Sequence, residues 1–393
     1  MRKVFFDHIS TTRPHAEVVE AMMPFFRDHF GNALSLHQFG SEPRRAVDDA
    51  REKVAALIGA AKPDEIIFTS SGTEANNLAL KGIAIAQQKR GKHIVVSAIE
   101  HFSVLHSARS LEKLGWSVTT VPVDSTGLVN PEEVAKAITK ETVVVSVGLA
   151  NNEIGTIQDL AAVSKVCKEK NVLLHTDAIA AVGHVPVNVQ ALGVDLLSMA
   201  AHRFYGPKGA GALYVRKGVR ISPLIDGGIQ ENGRRAGTED VPAIVGFGKA
   251  AEIAKAKAPE WEASVSRLRD RVIEGIKERI DHVYFNGHPT RRHPGNVSLC
   301  VKYIEGEAML LFLNQQGIVA SSGSTCSSRA LKTSHVLTAI GVDAELAQGS
   351  LMFTLGIDND DGDVDALLEV LPKVVERLRM MSPLYTPAEG TKV

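Results

Sequence analysis

A chain of 393 residues exceeds what one hydrophobic core ordinarily supports, so two domains are expected. With 44% hydrophobic and 23% charged residues and a formal net charge of −1, the composition is that of a soluble globular protein. It gives no electrostatic reason to bind nucleic acid or an anionic membrane, so the expected partner is a small molecule or a protein. The opening MRKVFFDHIS holds an apolar run too short for a signal peptide. No later stretch approaches the roughly 18 apolar residues of a membrane span, so a cytoplasmic location is expected. The three cysteines, Cys167, Cys300 and Cys326, are odd in number and lack a CxxC spacing, which argues against a disulfide framework or a zinc site.

In chain order, PRRAVDDAREKVAALIG (43–59) predicts an amphipathic helix with Val47, Ala50, Val54 and Leu57 on one face and Gly59 as its terminator. From about 64 to 217, short β-rich runs (EIIFTS, HIVVSA, SVTTVPV, TVVVSVGLA, VLLHTDA, DLLSMAA, GALYVRKG) alternate with helical segments such as EANNLALKGIAIAQQ and LAAVSKVCKEKN. That alternation predicts an α/β domain with a mainly parallel sheet covered on both faces. Charged helices around 259–280, a strand NVSLCVKY, a helix EGEAMLLFLNQQG, a Ser/Gly-rich loop and a final helix VDALLEVLPKVVERLR predict a second, smaller α+β domain. The division is placed near 258, with a large domain over 12–258. Residues 1–11 and 259–393 form the small one, which carries a loop at about 321–333.

Four places in this frame hold residues suited to chemistry. SSGTEANNLAL (70–80) sets Ser70, Ser71, Gly72 and Thr73 between a strand and a helix, where backbone N–H groups at the positive end of a helix dipole bind phosphate. The same residues also suit an ordinary helix cap. Asp177 ends the strand VLLHTDA at the carboxyl edge of the sheet, where open α/β folds place ligands; it reads as a partner for a protonated ring nitrogen or as a turn aspartate. His101, after HIVVSAIE, suits stacking on a flat ring or a structural role. Cys326, in SSGSTCSSRALK, has little around it to bury a thiol and has Arg329 and Lys332 close in sequence, which favours a reactive thiolate. Cys167 and Cys300 read as small core hydrophobes.

Together with FGNALSLHQFG, NNEIGTIQ (151–158), AHRFYGPKGAGALYVR and GGIQENGRRAGTED (227–240), these blocks resemble the cysteine desulfurases of the NifS/IscS type, within the fold-type I pyridoxal-phosphate enzymes (class V aminotransferases). The likeness runs over almost the whole chain. It implies pyridoxal phosphate as cofactor, L-cysteine as sulfur donor and a persulfide on the loop cysteine, which passes to an iron–sulfur scaffold or another acceptor. By position, Thr73 and His202 match phosphate-site residues, His101 the stacking histidine, Asn152 and Asp177 ring contacts, and Cys326 the persulfide carrier. Thr238 matches a phosphate ligand lent by a neighbouring subunit, which implies a homodimer.

Four positions depart from the family pattern. Arg203 stands where the family has the lysine that bonds the cofactor, and a guanidinium stays protonated and delocalised, so it cannot serve as that amine. Ala180 replaces a glutamine that contacts the ring hydroxyl, Ala200 a phosphate-binding serine, and Met352 the arginine that clamps the substrate carboxylate. Lys208 is no substitute, because the family carries a lysine in its GPKG turn as well. Three readings follow: a slow desulfurase holding its cofactor non-covalently, with His101, Arg203 and Cys326 catalytic; a non-enzymatic relay receiving sulfur or ligating a nascent iron–sulfur cluster on Cys326; and a pyridoxal enzyme of altered specificity. GPKGAG is not a dinucleotide fingerprint and no GxxxxGK[ST] phosphate loop occurs.

Overall fold

The computed structural model describes residues 3–323 and 333–386, so Cys326 lies outside the described residues. Twelve strands are formed among them: β1 (Val4–Phe5), β2 (Ile66–Thr69), β3 (His93–Ser97), β4 (Ser117–Val121), β5 (Thr142–Ser146), β6 (Leu173–Asp177), β7 (Leu196–Ala200), β8 (Gly211–Val215), β9 (Val283–Phe285), β10 (Asn296–Val301), β11 (Ile318–Val319) and β12 (Ser350–Thr354). Seven make the main sheet in the order β2-β8-β7-β6-β5-β3-β4. The five strands β3 to β7 pair in parallel, and β8 runs antiparallel to both β7 and β2.

HIVVS of β3 and TVVVS of β5 are buried at every position, because helices cover both faces and leave no solvent side to call for alternation. β4 lies at the edge and alone in this parallel set shows an exposed, polar SVTT. From β3 the chain steps outward to β4 and then returns across β3 to β5, so the strand order reverses between β3 and β5. Segments leaving the carboxyl ends at such a reversal diverge and open a crevice.

The expected helices form. Helix Gln38–Ile58 buries Val47, Ala50 and Val54 and ends at Gly59, whose φ of 66° is the left-handed conformation that glycine adopts without strain. The charged segment at 259–280 is the second half of one helix, Val241–Arg279, which runs unbroken through 258. Phe247, Ala250 and Ala254 of its first half pack into the core of the main sheet, while Val265, Leu268 and Val272 of its second half pack under a three-stranded antiparallel sheet, β12-β10-β9. Charge on the solvent side changes along this helix while its apolar stripe continues, which is why the composition shift is not a helix boundary. No helix among the described residues is long and apolar enough to cross a membrane.

Candidate active site

At the carboxyl edge of the main sheet, segments following β2, β3, β5, β6 and β7 enclose a cavity of about 680 Å³, mouth included. Thr73, His101, Asn152, Asp177, His202 and Arg203, six positions singled out in the sequence, all line it. Ser71 caps helix Gly72–Gln87, its Oγ accepting from Glu74 N at 3.1 Å, and Gly72 opens the first turn. A Cβ on Gly72 would stand 2.2 Å from Ile179 Cδ1, so a larger residue here would displace the Ile179 side chain after β6. The side chain of Ser71 is thus spent on the helix, and Ser71, Gly72 and Thr73 line the cavity at the positive end of that helix.

Asp177 is the last residue of β6. Its Oδ1 accepts from Ile179 N (2.9 Å) and its Oδ2 from Asn76 Nδ2 (2.7 Å). The second Asn76 N–H goes to Ser103 Oγ at 2.8 Å, and Ser103 in turn reaches His101 Nδ1 at 2.7 Å. Because Ser103 N also donates to His101 Nδ1 (3.1 Å), that nitrogen is the acceptor and the ring hydrogen sits on Nε2. Burial lowers the His101 pKa, with Asp177 opposing and Arg203 reinforcing the shift, so the ring is neutral. His101 lies four residues beyond the end of β3 and N-caps helix Phe102–Glu112, so its structural and cavity roles coincide.

Arg203 ends the short turn Ala201–Arg203 that follows β7. Its carbonyl accepts from His184 Nε2 at 2.7 Å, and the neighbouring His202 carbonyl accepts from Thr12 N (2.9 Å) and Thr12 Oγ1 (3.0 Å). The backbone carrying the guanidinium is thus pinned from two sides. Burial pushes His184 and His202 down to about 4; the hydrogen bond to the Arg203 carbonyl opposes the shift at His184, while the Arg203 charge adds to it at His202, and His293, packed 4.8 Å from the His184 ring, is likewise pushed well below the usual histidine value by burial. No lysine lines the cavity among the described residues; Lys208 is exposed on the turn before β8.

Other expected positions fall elsewhere. Ala180 and Ala200 line the cavity. Met352 lies outside that lining: its backbone pairs with Ser321 in both directions, and its sulfur sits 3.7 Å from Asn296 Nδ2. Thr238 is exposed on its own chain and outside this cavity, although the turn bearing it is anchored by Arg235 to Glu74 (2.8 Å) and by Glu231 to Arg51 (2.7 Å). Cys167 and Cys300 are buried. Among the described residues no group of three or more His, Cys, Asp or Glu is placed to hold a metal ion.

The residues that the motif reading missed are Asn76, Ser103 and Glu100. Asn76 and Glu100 sit inside stretches already singled out, one four residues after Gly72 and the other directly before His101; only the fold shows that Glu100 lines the cavity and that Asn76 joins Asp177 to Ser103 behind it.

The model of the aminotransferase class-V family matches residues 4–367. A cysteine desulfurase IscS of Dictyoglomus turgidum is 51% identical over 382 residues, covering 97% of each chain. One of Methanosarcina thermophila is 50% identical, covering 99% of this chain and 95% of that one. Among solved structures, a NifS-like protein superposes with a TM-score of 0.90 at 38% identity, covering 96% of this chain and all of that one.

Proposed function

This chain belongs to the class-V aminotransferase family, with the fold-type I architecture and the cysteine desulfurases as full-length relatives, and from that premise we propose that it serves sulfur transfer for iron–sulfur cluster assembly, with its own desulfurase catalysis impaired. The observation that carries the proposal is that Arg203, and no lysine among the described residues, lines a cavity otherwise furnished with Thr73, His101, Asn152, Asp177 and His202.

These residues fit pyridoxal phosphate held without a covalent bond. The turn Ser71–Thr73 offers helix N-terminal amides to a phosphate, the neutral His101 ring offers a flat face, and Asp177 offers an acceptor for a ring N–H. Pyridoxal phosphate, when bound, supplies an electron sink. Arg203 keeps its proton and adds a fixed positive charge, pairing with the phosphate or with a substrate carboxylate. Without a neutral amine at this position the chain lacks the usual proton carrier of the site, so turnover is slow. Cys326 carries the sulfur as a persulfide and hands it to an iron–sulfur scaffold or another acceptor; ligation of a nascent cluster by the same thiolate belongs to this reading. A homodimer is part of the proposal. Phe30 and Phe39, 71% and 63% exposed with ring centroids 5.8 Å apart in a tilted pair, leave an apolar face for a second copy, and the exposed Thr238 is assigned to that copy's cavity.

The test is alanine release from L-cysteine by the purified protein with added pyridoxal phosphate and a thiol acceptor, beside Arg203→Lys and Cys326→Ala variants. Slow or no alanine from the unmodified chain with rescue by Arg203→Lys supports the proposal. Fast, Cys326-dependent alanine from the unmodified chain overturns the impaired-catalysis reading. Failure of Cys326 to accept sulfur from any donor overturns sulfur transfer itself.

A further inference from the structure

His184 stands in the turn after β6 and does not itself line the cavity. Its Nε2 is 2.7 Å from the Arg203 carbonyl oxygen, and because a carbonyl can only accept, this nitrogen carries hydrogen. The amides that follow Arg203 are turned to other acceptors: Phe204 N (3.1 Å) and Gly206 N (3.0 Å) donate to Ala201 O, and Tyr205 N donates to Thr12 Oγ1 (2.7 Å). The two turns are in direct contact. A Cβ on Gly183, whose φ is 83°, would stand 2.4 Å from Phe204 Cβ, so a side chain there is opposed by space as well as by conformation.

His293, in the loop before β10, packs its ring 4.8 Å from that of His184. It is 4% exposed, its Nδ1 accepts from Gly295 N (3.1 Å), and its backbone N donates to Gly155 O (2.7 Å). The His184 ring is therefore held between a fixed neighbour and the Arg203 peptide. Asp177 ends β6 and Arg203 follows β7, the adjacent parallel strand, and both residues line the cavity. One side-chain hydrogen bond thus ties the segment leaving β6 to the turn that carries the guanidinium.

We propose that His184 is a positioning residue for Arg203: its Nε2–H sets the peptide that bears the Arg203 side chain, and through it the place at which the guanidinium charge meets a phosphate-bearing ligand of the cavity. The inference rests on the reading that the cavity takes a pyridoxal-type phosphate. Because the arginine side chain is long, a small rotation at its backbone carries the guanidinium out of the narrow range in which a hydrogen bond is strong. Titration of His184 does not release the bond, since protonated imidazole keeps the same N–H.

The probe is pyridoxine 5′-phosphate, which has the ring and phosphate but no aldehyde to bond lysines. Its dissociation constant is measured by fluorescence at pH 7.5 on the full chain, unmodified and as His184→Phe, His184→Leu, His184→Gln, Arg203→Ala, and each of the two donorless His184 variants combined with Arg203→Ala. His184→Phe keeps a ring against His293 and His184→Leu does not, but both remove the donor, and both are expected to bind about tenfold more weakly. His184→Gln restores an N–H and is expected to bind within about threefold of the unmodified chain. In the Arg203→Ala background, removing the donor is expected to change the dissociation constant by less than about twofold, because a residue that acts through Arg203 has nothing left to act on.

A His184→Phe variant that binds as tightly as the unmodified chain makes the ring's packing, not its N–H, the contribution, and overturns the inference. So does a tenfold loss that persists in the Arg203→Ala background, an Arg203→Ala variant that binds as tightly as the unmodified chain, or failure of both donorless variants to fold, which makes His184 structural. Each of these leaves the cofactor reading in place. No binding of the probe or of pyridoxal phosphate by the unmodified chain overturns the cofactor reading, and the positioning role falls with it.

Discussion

Buried bases and buried acids near the cavity respond to the loss of water in opposite directions. Around Arg203 the buried titratable groups are imidazoles, His184, His202 and His293, and desolvation strips their protons. On the segments after β3 and β5 the carboxyls Glu100 and Glu153 are buried as well, and desolvation makes them keep their protons, up to about 8 and about 7, while His101 next to Glu100 is lowered like the other imidazoles. One physical cause, the removal of water, thus acts with opposite sign on bases and acids. Asp177 and Arg203 both line this cavity with Ser71, Gly72 and Thr73 of the helix-opening turn.

The largest expected effect breaks the imidazole side. His175, wholly buried in β6 between Ser146 Oγ (2.8 Å) and Ser198 Oγ (3.0 Å), is pushed from 6.5 down to about 3. A base with a depressed folded-state pKa contributes stability that is present above about 6.5 and lost as pH falls towards the folded value. Acidification from pH 6.5 to 4 should cost on the order of 3 kcal/mol from this residue alone. Urea denaturation of the unmodified chain and of His175→Gln across that range should show a shallower acid limb in the variant.

Slightly smaller is the effect on the carboxyl side. Glu153 accepts from Ser334 Oγ and, if Gly323 carried a Cβ, its Oε2 would block it, so this carboxyl holds described residues on both flanks of segment 324–332. An acid raised from 4.5 to about 7 keeps its full stability at low pH and loses it as pH rises from about 4.5 to 7, by about 2 to 3 kcal/mol. Glu153→Gln retains an acceptor for Ser334 without the titration. Its thermal midpoint should gain on the unmodified chain as pH rises from 5 to 8, the reverse of the His175 comparison.

Two further substitutions sharpen the contrast at the ligand. Asp177→Asn removes the anionic acceptor and should weaken pyridoxine 5′-phosphate by about 10- to 100-fold at pH 7, read as a dissociation constant. Asn76→Ala leaves Asp177 in place but frees both it and Ser103 from their shared donor. A loss of about three- to tenfold is expected, with altered Nε2–H tautomer signals of His101 by NMR. An unchanged His101 spectrum in this variant would separate the ring from the Asp177 chain.

Much of the site was legible along the chain because its residues sit at predictable junctions. Thr73, Asp177 and Arg203 each stand within three residues of a β-strand's carboxyl end or a helix start, and periodicity located those ends. Asn76, Ser103 and Glu100 were not legible, because they sit inside an ordinary helix or between a strand and a helix. Their roles depend on partners 27, 101 and 48 positions away in the chain. That one helix, Val241–Arg279, runs through 258 was not legible either, because its apolar stripe faces two different cores that only the fold brings to it.

By itself the sequence determined the α/β architecture and the order of the cavity-forming segments, since each follows from residue type and local spacing. Only the tertiary structure decided that Ser103 meets His101 at Nδ1, that Glu100 is buried with only one oxygen hydrogen-bonded among the described residues, and that Thr238 is exposed outside its own cavity. Those properties come from burial and from hydrogen-bond partners brought together across the sheet's carboxyl edge, and neither is a property of any one stretch of chain.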